Sequence, residues 1–252
     1  MRLTNGGSPI SNGSININIR TWFLVLVSHQ TSSKESERYR SGGTMVCVRH
    51  HHHRPTLGDD KLMFDFWQFP DVYSQDEIKD INKFLSKNFV DMPDRAAEGV
   101  VKTSAVEVVQ WGAISTILAK VEHCMLHANK VNFSFDLYLP LDMFQVFNHN
   151  TYRIGQEYGW HDDRIIDRNR ISDIKLTFIL NLSEQSYTGG DLYLRWGSSA
   201  DARPDDDEED GKLEFGPGSA ILFTGGLYHK VSPVVEGTRK SLTTWIEGPK
   251  WK

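Results

Sequence analysis

The chain is poor in cysteine, with two in 252 residues, Cys47 and Cys124. That excludes a disulfide scaffold and points to a reducing compartment. Long apolar runs are missing as well. The one N-terminal run, Trp22 to Val27, is too short for a signal sequence and far too short to span a bilayer, so a cytoplasmic protein without membrane contact is expected. Positive charge is also scarce where it would matter. Residues 1–63 carry eight Lys/Arg against four Asp/Glu, whereas the remainder carries 20 against 29, and the net charge is −5. Phosphate binding needs a positive footprint, so nucleic acid is not an expected partner.

What is present changes character along the chain. Residues 1–63 are rich in Asn, Ser, Gly and Thr and weak in periodicity, and read as a disordered extension. Met45 and Met63 could each serve as a start, and the run His50–His53 reads as a solvated tract. From Phe64 to residue 143 the pattern is that of a helical support region. Alternation over 64–69 predicts a strand, and Ser74 three residues before Glu77 forms a capping-box pattern ahead of a helix over 75–88. A second helix is expected over 111–128, with Ile114, Ile117, Leu118, Val121 and Met125 on one face. His123 and His127, at i and i+4 on that helix, lack a third ligand and read as surface or core-edge residues.

From 144 to 248 the pattern turns to short strands at close spacing, expected at 144–152, 174–182, 191–196, 212–215, 219–224, 229–235 and 240–247. This predicts a mainly β member of the α+β class, with a sandwich or jelly roll preceded by N-terminal helices. The acidic run Asp205–Asp210 falls between strands and reads as a solvated loop. Loops near 95–105, 164–173 and 197–211 are the expected substrate-facing segments, the last two as lids. Nothing in the sequence specifies an oligomeric state.

The chemistry-bearing residues lie in two strings. Tyr152 to Asp163 holds an H-x-D pair, His161 and Asp163, and residues at i and i+2 of a strand share a face. Leu227 to Ser241 holds His229 and, ten residues on, Arg239. Two imidazoles and a carboxylate suit an Fe(II) held on one side with open positions opposite. Arg239, across a turn at 236–238, is expected on the strand neighbouring that of His229, among Val231, Val234, Leu242 and Trp245. A guanidinium there requires an anion, and 2-oxoglutarate is a fitting one. Ser241, two residues on, can add a hydroxyl hydrogen bond. Tyr152 and Tyr158 are phenols near the metal, candidates to contact the cosubstrate or to line the substrate groove, and Trp245 and Trp160 are further lining candidates.

Together these strings resemble the Fe(II)/2-oxoglutarate-dependent dioxygenases of the prolyl 4-hydroxylase-like group, and within it the PKHD-type hydroxylases. The resemblance rests on Tyr152-x-x-Gly155-Gln156-x-Tyr158-x-x-His161-x-Asp163, on Tyr187-x-Gly189-Gly190-Asp191-Leu192, and on His229-x-Val231-x-Pro233-Val234-x-x-Gly237-x-Arg239. It covers about 144–248. It implies a double-stranded β-helix (jelly-roll or cupin-like) core with flanking N-terminal helices. It also implies His161, Asp163 and His229 on Fe(II), and Arg239, with Ser241 and Tyr152, on the cosubstrate. The implied activity is hydroxylation of a prolyl or other residue in a peptide or protein, with O2 consumed, succinate and CO2 released, and ascorbate as accessory reductant. Tyr158 and Trp245 would serve the reacting centre. Two features depart from the pattern. Asp162 stands where relatives carry an apolar residue, which puts two carboxylates side by side, and the insertion around 200–211 is long and acidic. The alternatives are a same-fold oxygenase acting on a free amino acid or small metabolite, and a non-enzymatic metal-binding β-roll, which would not need Arg239.

Overall fold

A computed structural model describes residues 38–41, 45–48, 65–91, 100–165, 167, 169–195 and 211–251. The remainder of 1–64, segments 92–99 and 196–210, and residues 166, 168 and 252 lie outside the described residues. With them go the readings of the N-terminal extension as disordered, of the His50–His53 run, and of the acidic loop as solvated. The first described elements are two paired strands, β1 (Arg38–Ser41) and β2 (Met45–Val48). Then come β3 (Phe66–Phe69), α1 (Gln75–Leu85), β4 (Val90–Asp91), β5 (Ala105–Gln110), the single turn α2 (Trp111–Ile114) and α3 (Ala119–Ala128), which runs into a π turn at Asn129–Phe133. The β-rich part follows as β6 (Val146–Tyr152), β7 (Tyr158–His161), β8 (Ser172–Asn181), β9 (Thr188–Gly189), β10 (Leu192–Arg195), β11 (Ala220–Thr224), β12 (Tyr228–Val231), β13 (Val234–Glu236) and β14 (Arg239–Pro249).

All pairings between the described strands are antiparallel. A seven-stranded sheet runs β3-β11-β8-β14-β6-β5-β4, a three-stranded sheet runs β10-β12-β7, and β13 pairs with β9. The mostly β architecture with few helices is jelly-roll-like. Period-two alternation splits the large sheet between two apolar cores. Phe147, Leu176, Phe178, Leu180, Leu222, Leu242 and Ile246 face the helices, where Ile78, Ile81, Leu85, Leu118, Val121 and Met125 cover them. On the other side Ile179, Ile221 and Phe223 meet Leu192, Leu194 and Val231 of the small sheet.

The helix starting at 75 carries both halves of the expected capping box: Ser74 accepts from the Glu77 amide, and Glu77 accepts from the Ser74 amide at 2.8 Å. The helix expected over 111–128 is broken after Ile114. Ser115 and Thr116 are poor helix formers whose hydroxyls and branching disfavour a continuous interior, although the apolar face stays in phase. The strand expected over 229–235 divides at Ser232-Pro233, because Pro233 offers no amide to a ladder. The strand expected at 212–215 reduces to one bridge, Lys212 with Tyr193. Strand β5, which pairs with β6 from Val146 to Thr151, has no counterpart among the expected elements. His127 sits edge-on to Trp67 and Phe69, consistent with its reading as a core-edge residue. Among the described residues no helix is long and apolar enough to cross a membrane.

Candidate metal and cosubstrate site

The small sheet brings the two histidines together. β12 pairs with β7 so that His229 lies directly opposite His161, and their rings are 4.1 Å apart. Both imidazoles are about 95% buried. Each Nδ1 lies against a carbonyl two residues earlier, His161 on Gly159 at 2.8 Å and His229 on Leu227 at 3.0 Å. A carbonyl only accepts, so each Nδ1 carries the proton and each Nε2 presents a lone pair. Both lone pairs turn toward Asp163: His161 Nε2 is 3.9 Å from Oδ1 and His229 Nε2 is 3.6 Å from Oδ2. The three side chains form the only group of three potential ligands among the described residues, with one donor atom from each within 4.8 Å of the others.

Asp163 does not reach this point as part of a strand. β7 ends at His161, and Asp163 sits two residues beyond, its amide on the Gly225 carbonyl at 2.9 Å. Its neighbour Asp162 is held elsewhere: Arg164 takes its carboxylate through Nε at 3.1 Å and through Nη2.

Burial pushes the His161 imidazole down to about 4, the facing His229 adds to this, and Asp163 opposes it. The neutral ring is the form a metal requires. The folded-state value lies below the ordinary 6.5, so the unfolded chain binds more protons between the two. The metal-free protein is therefore expected to lose stability as pH falls from about 6.5 toward 4, on the order of 3 kcal/mol from this group. Denaturant midpoints across that range check it, and a His161→Asn variant should flatten the slope.

Arg239 approaches from the opposite side. Expected beside the strand of His229, it instead opens β14 in the large sheet, opposite Tyr152 of β6. The break at Pro233 carries the chain out of the small sheet through β13, which pairs with β9, before β14 begins. Arg239 is 1% exposed; its Nη1 donates to Ser241 Oγ at 3.1 Å, while Nε and Nη2 have no protein partner. The guanidinium lies 5.2 Å over the Tyr152 ring. Room for it comes from Gly190, whose φ of +59° falls in the left-handed region. A Cβ there would lie 3.0 Å from Val234 Cγ2 and 3.1 Å from Arg239 Cδ. Gly190→Ala should therefore weaken cosubstrate binding roughly threefold to tenfold, about 1 kcal/mol, and leave metal binding unchanged. Titrating each separately by calorimetry tests this.

A cleft partly open to solvent joins the two ends. It collects His161, Asp163, His229, Arg239, Ser241, Tyr152, Tyr158 and Trp245. Tyr158 stacks on His161 at 3.7 Å and so fixes the ring plane. Trp160 is not in the cleft; it stacks on Tyr228 at 5.8 Å, on the outer face of the small sheet. The sequence reading missed Lys102, Asn148, Asn150 and Thr243, which also line the cleft. A signal for three of them was available. Asn148, Asn150, Ser241 and Thr243 recur at period two on strands otherwise buried, and they pair across β6 and β14. Polar residues on the inner face of a central sheet mark a cavity.

A sequence profile of the 2OG-Fe(II) oxygenase superfamily matches residues 146–247, the span that holds the whole constellation. Over that span the chain is similar to the superfamily. Its curated relatives include PKHD-type hydroxylases. One from Synechococcus sp. (strain CC9605) is 33% identical over 93 residues, 37% of each chain. Another, from Maricaulis maris (strain MCS10), is 27% identical over 160 residues, 63% of this chain and 66% of the relative. The chain thus spans between about a third and two thirds of the length of these relatives. Among solved structures, a Pseudomonas putida prolyl-4-hydroxylase shares the fold with a TM-score of 0.52 and 20% identity, over 74% of this chain and 94% of that one. A viral collagen prolyl hydroxylase from Paramecium Bursaria Chlorella virus-1 gives 0.50 and 15%, over 73% and 97%.

The matched family implies Fe(II), 2-oxoglutarate and O2. The residues fit both groups. Two imidazoles and one carboxylate suit Fe(II), and the buried guanidinium with two unpartnered donors suits a carboxylate held by charge-assisted bonds.

Proposed function

We propose that this chain is an Fe(II)- and 2-oxoglutarate-dependent hydroxylase acting on a prolyl or other residue of a peptide or protein. Its catalytic core would be a double-stranded β-helix over 144–248, with 64–143 as helical support. The observation that carries the proposal is the pairing, in one cleft, of the His161–Asp163–His229 cluster with Arg239, buried and short of two partners. A metal-binding module would have no use for that arginine.

In this reading His161, Asp163 and His229 hold Fe(II), and Arg239 and Ser241 hold the far carboxylate of 2-oxoglutarate. When bound, the iron and cosubstrate supply the oxidative chemistry: O2 is consumed, succinate and CO2 are released, and oxygen enters a substrate C–H bond. The protein supplies orientation. The carbonyls of Gly159 and Leu227 fix the imidazole tautomers, Tyr158 holds the His161 plane, and Tyr152 flanks the guanidinium. Trp245, Asn148 and Thr243 line the same cleft and offer apolar and amide-matching surface to a substrate. The peptide class is supported by the relatives, which are PKHD-type and prolyl hydroxylases by name.

The test is anaerobic mixing with Fe(II) and 2-oxoglutarate, then addition of O2 with succinate detection. A visible band on mixing, followed by slow succinate formation that prolyl peptides accelerate, is the expected result. Absence of both, with wild type matching His161→Ala, would overturn the proposal.

A further inference from the structure

Thr177 lies in the middle of β8, in register with Trp245 of β14, and is fully buried. Its neighbours along the strand, Leu176, Phe178, Ile179 and Leu180, are apolar and buried. A hydroxyl at such a position is costly unless it is bonded. Its one side-chain bond is a donation from Oγ1 to Asp163 Oδ2 at 2.5 Å. Asp163 needs such a hold, because it stands beyond the end of β7 and no strand ladder fixes it.

We propose that Thr177 is a positioning residue for the metal centre. Its hydroxyl locks the Asp163 carboxylate in the orientation that meets both imidazoles and keeps one oxygen engaged, so that Asp163 binds through a single oxygen. This rests on the reading of His161, Asp163 and His229 as metal ligands. Two neighbouring carboxylates are thereby sorted by what grips them. Arg164 draws Asp162 aside at the surface, and Thr177 draws Asp163 inward. A threonine suits the task because its branched side chain has few rotamers on a strand, and its methyl packs where valine would.

The test is Co(II) binding by calorimetry and visible absorption, independent of turnover, on wild type, Thr177→Val, Thr177→Ala and Thr177→Ser. Loss of the hydrogen bond should weaken Co(II) binding roughly 10- to 100-fold in the Val and Ala variants and change the Co(II) spectrum as the second carboxylate oxygen becomes free to coordinate. Thr177→Ser should return both toward wild type. Val and Ala variants that bind Co(II) with wild-type affinity and spectrum would overturn the role of Thr177 and leave the ligand set standing. Should one of these two fail to fold, the other, with Thr177→Ser, still decides. A serine variant as weak as valine would also overturn it, since the hydroxyl would then not be the active part. Wild type that binds no Co(II), or binds it equally with His161→Ala, would overturn the ligand reading and this inference together.

Discussion

Arg239→Met should abolish saturable 2-oxoglutarate binding without lowering the unfolding midpoint of the cosubstrate-free protein. The two effects separate because of where the guanidinium sits. It is 1% exposed, and two of its nitrogens have no protein partner. A buried donor without a partner costs about 1–3 kcal/mol, so the arginine does not stabilise the fold on its own account. Methionine fills similar volume, leaves no donor unsatisfied, and removes a buried charge, a replacement that is often neutral or stabilising. Bound cosubstrate reverses the sign: losing one member of a buried, hydrogen-bonded charge pair costs about 2–5 kcal/mol, roughly 30-fold to a few thousand-fold in affinity. Thermal unfolding with and without 2-oxoglutarate measures both. Wild type should be stabilised by the cosubstrate in the presence of metal, and the variant should not. A variant that is much less stable without cosubstrate would mean that the arginine is structural.

Asp163→Ala should reduce divalent metal affinity by more than about 100-fold, beyond the range seen for losing an outer-shell partner, whereas Asp162→Ala should change it less than about threefold. The adjacent carboxylates differ in their surroundings and not in their chemistry. Asp163 faces both imidazole lone pairs and is gripped by a buried threonine. Asp162 is engaged by Arg164, whose side chain is 56% exposed, and an ion pair at the surface contributes little. With Asp163 removed, two imidazoles remain and no carboxylate offsets the charge of the metal. Calorimetric titration of both variants with Co(II) or Mn(II) separates them. Equal losses would mean that the two carboxylates share the site, and the assignment of the ligand would have to be revised.

The side chains that gather in the cleft were legible in the sequence because they stand at fixed short spacings. His161 and Asp163 stand two apart, and His229 and Arg239 stand ten apart with a turn between. Local signals carried the boundaries they govern, such as the Ser74–Glu77 box at the start of the first helix. Hydrophobic period two announced a β-rich half without saying which strands are neighbours. Sheet membership did not follow, because the same apolar alternation suits either sheet of a two-layer fold. Arg239 was placed beside His229 for that reason, whereas Pro233 sends the chain across to the other layer. Lys102 joined the cleft through a bridge to Tyr158, 56 positions away, and no local pattern encodes such a pairing. What the sequence determined alone is the set of side chains proposed for the site: two imidazoles, a carboxylate and a guanidinium. What the tertiary structure decided is which carboxylate turns inward, from which layer the arginine reaches, and that Thr177 has only Asp163 to bond. These are matters of packing between segments distant in the chain, where a hydroxyl in an apolar strand acquires meaning only from what is folded against it.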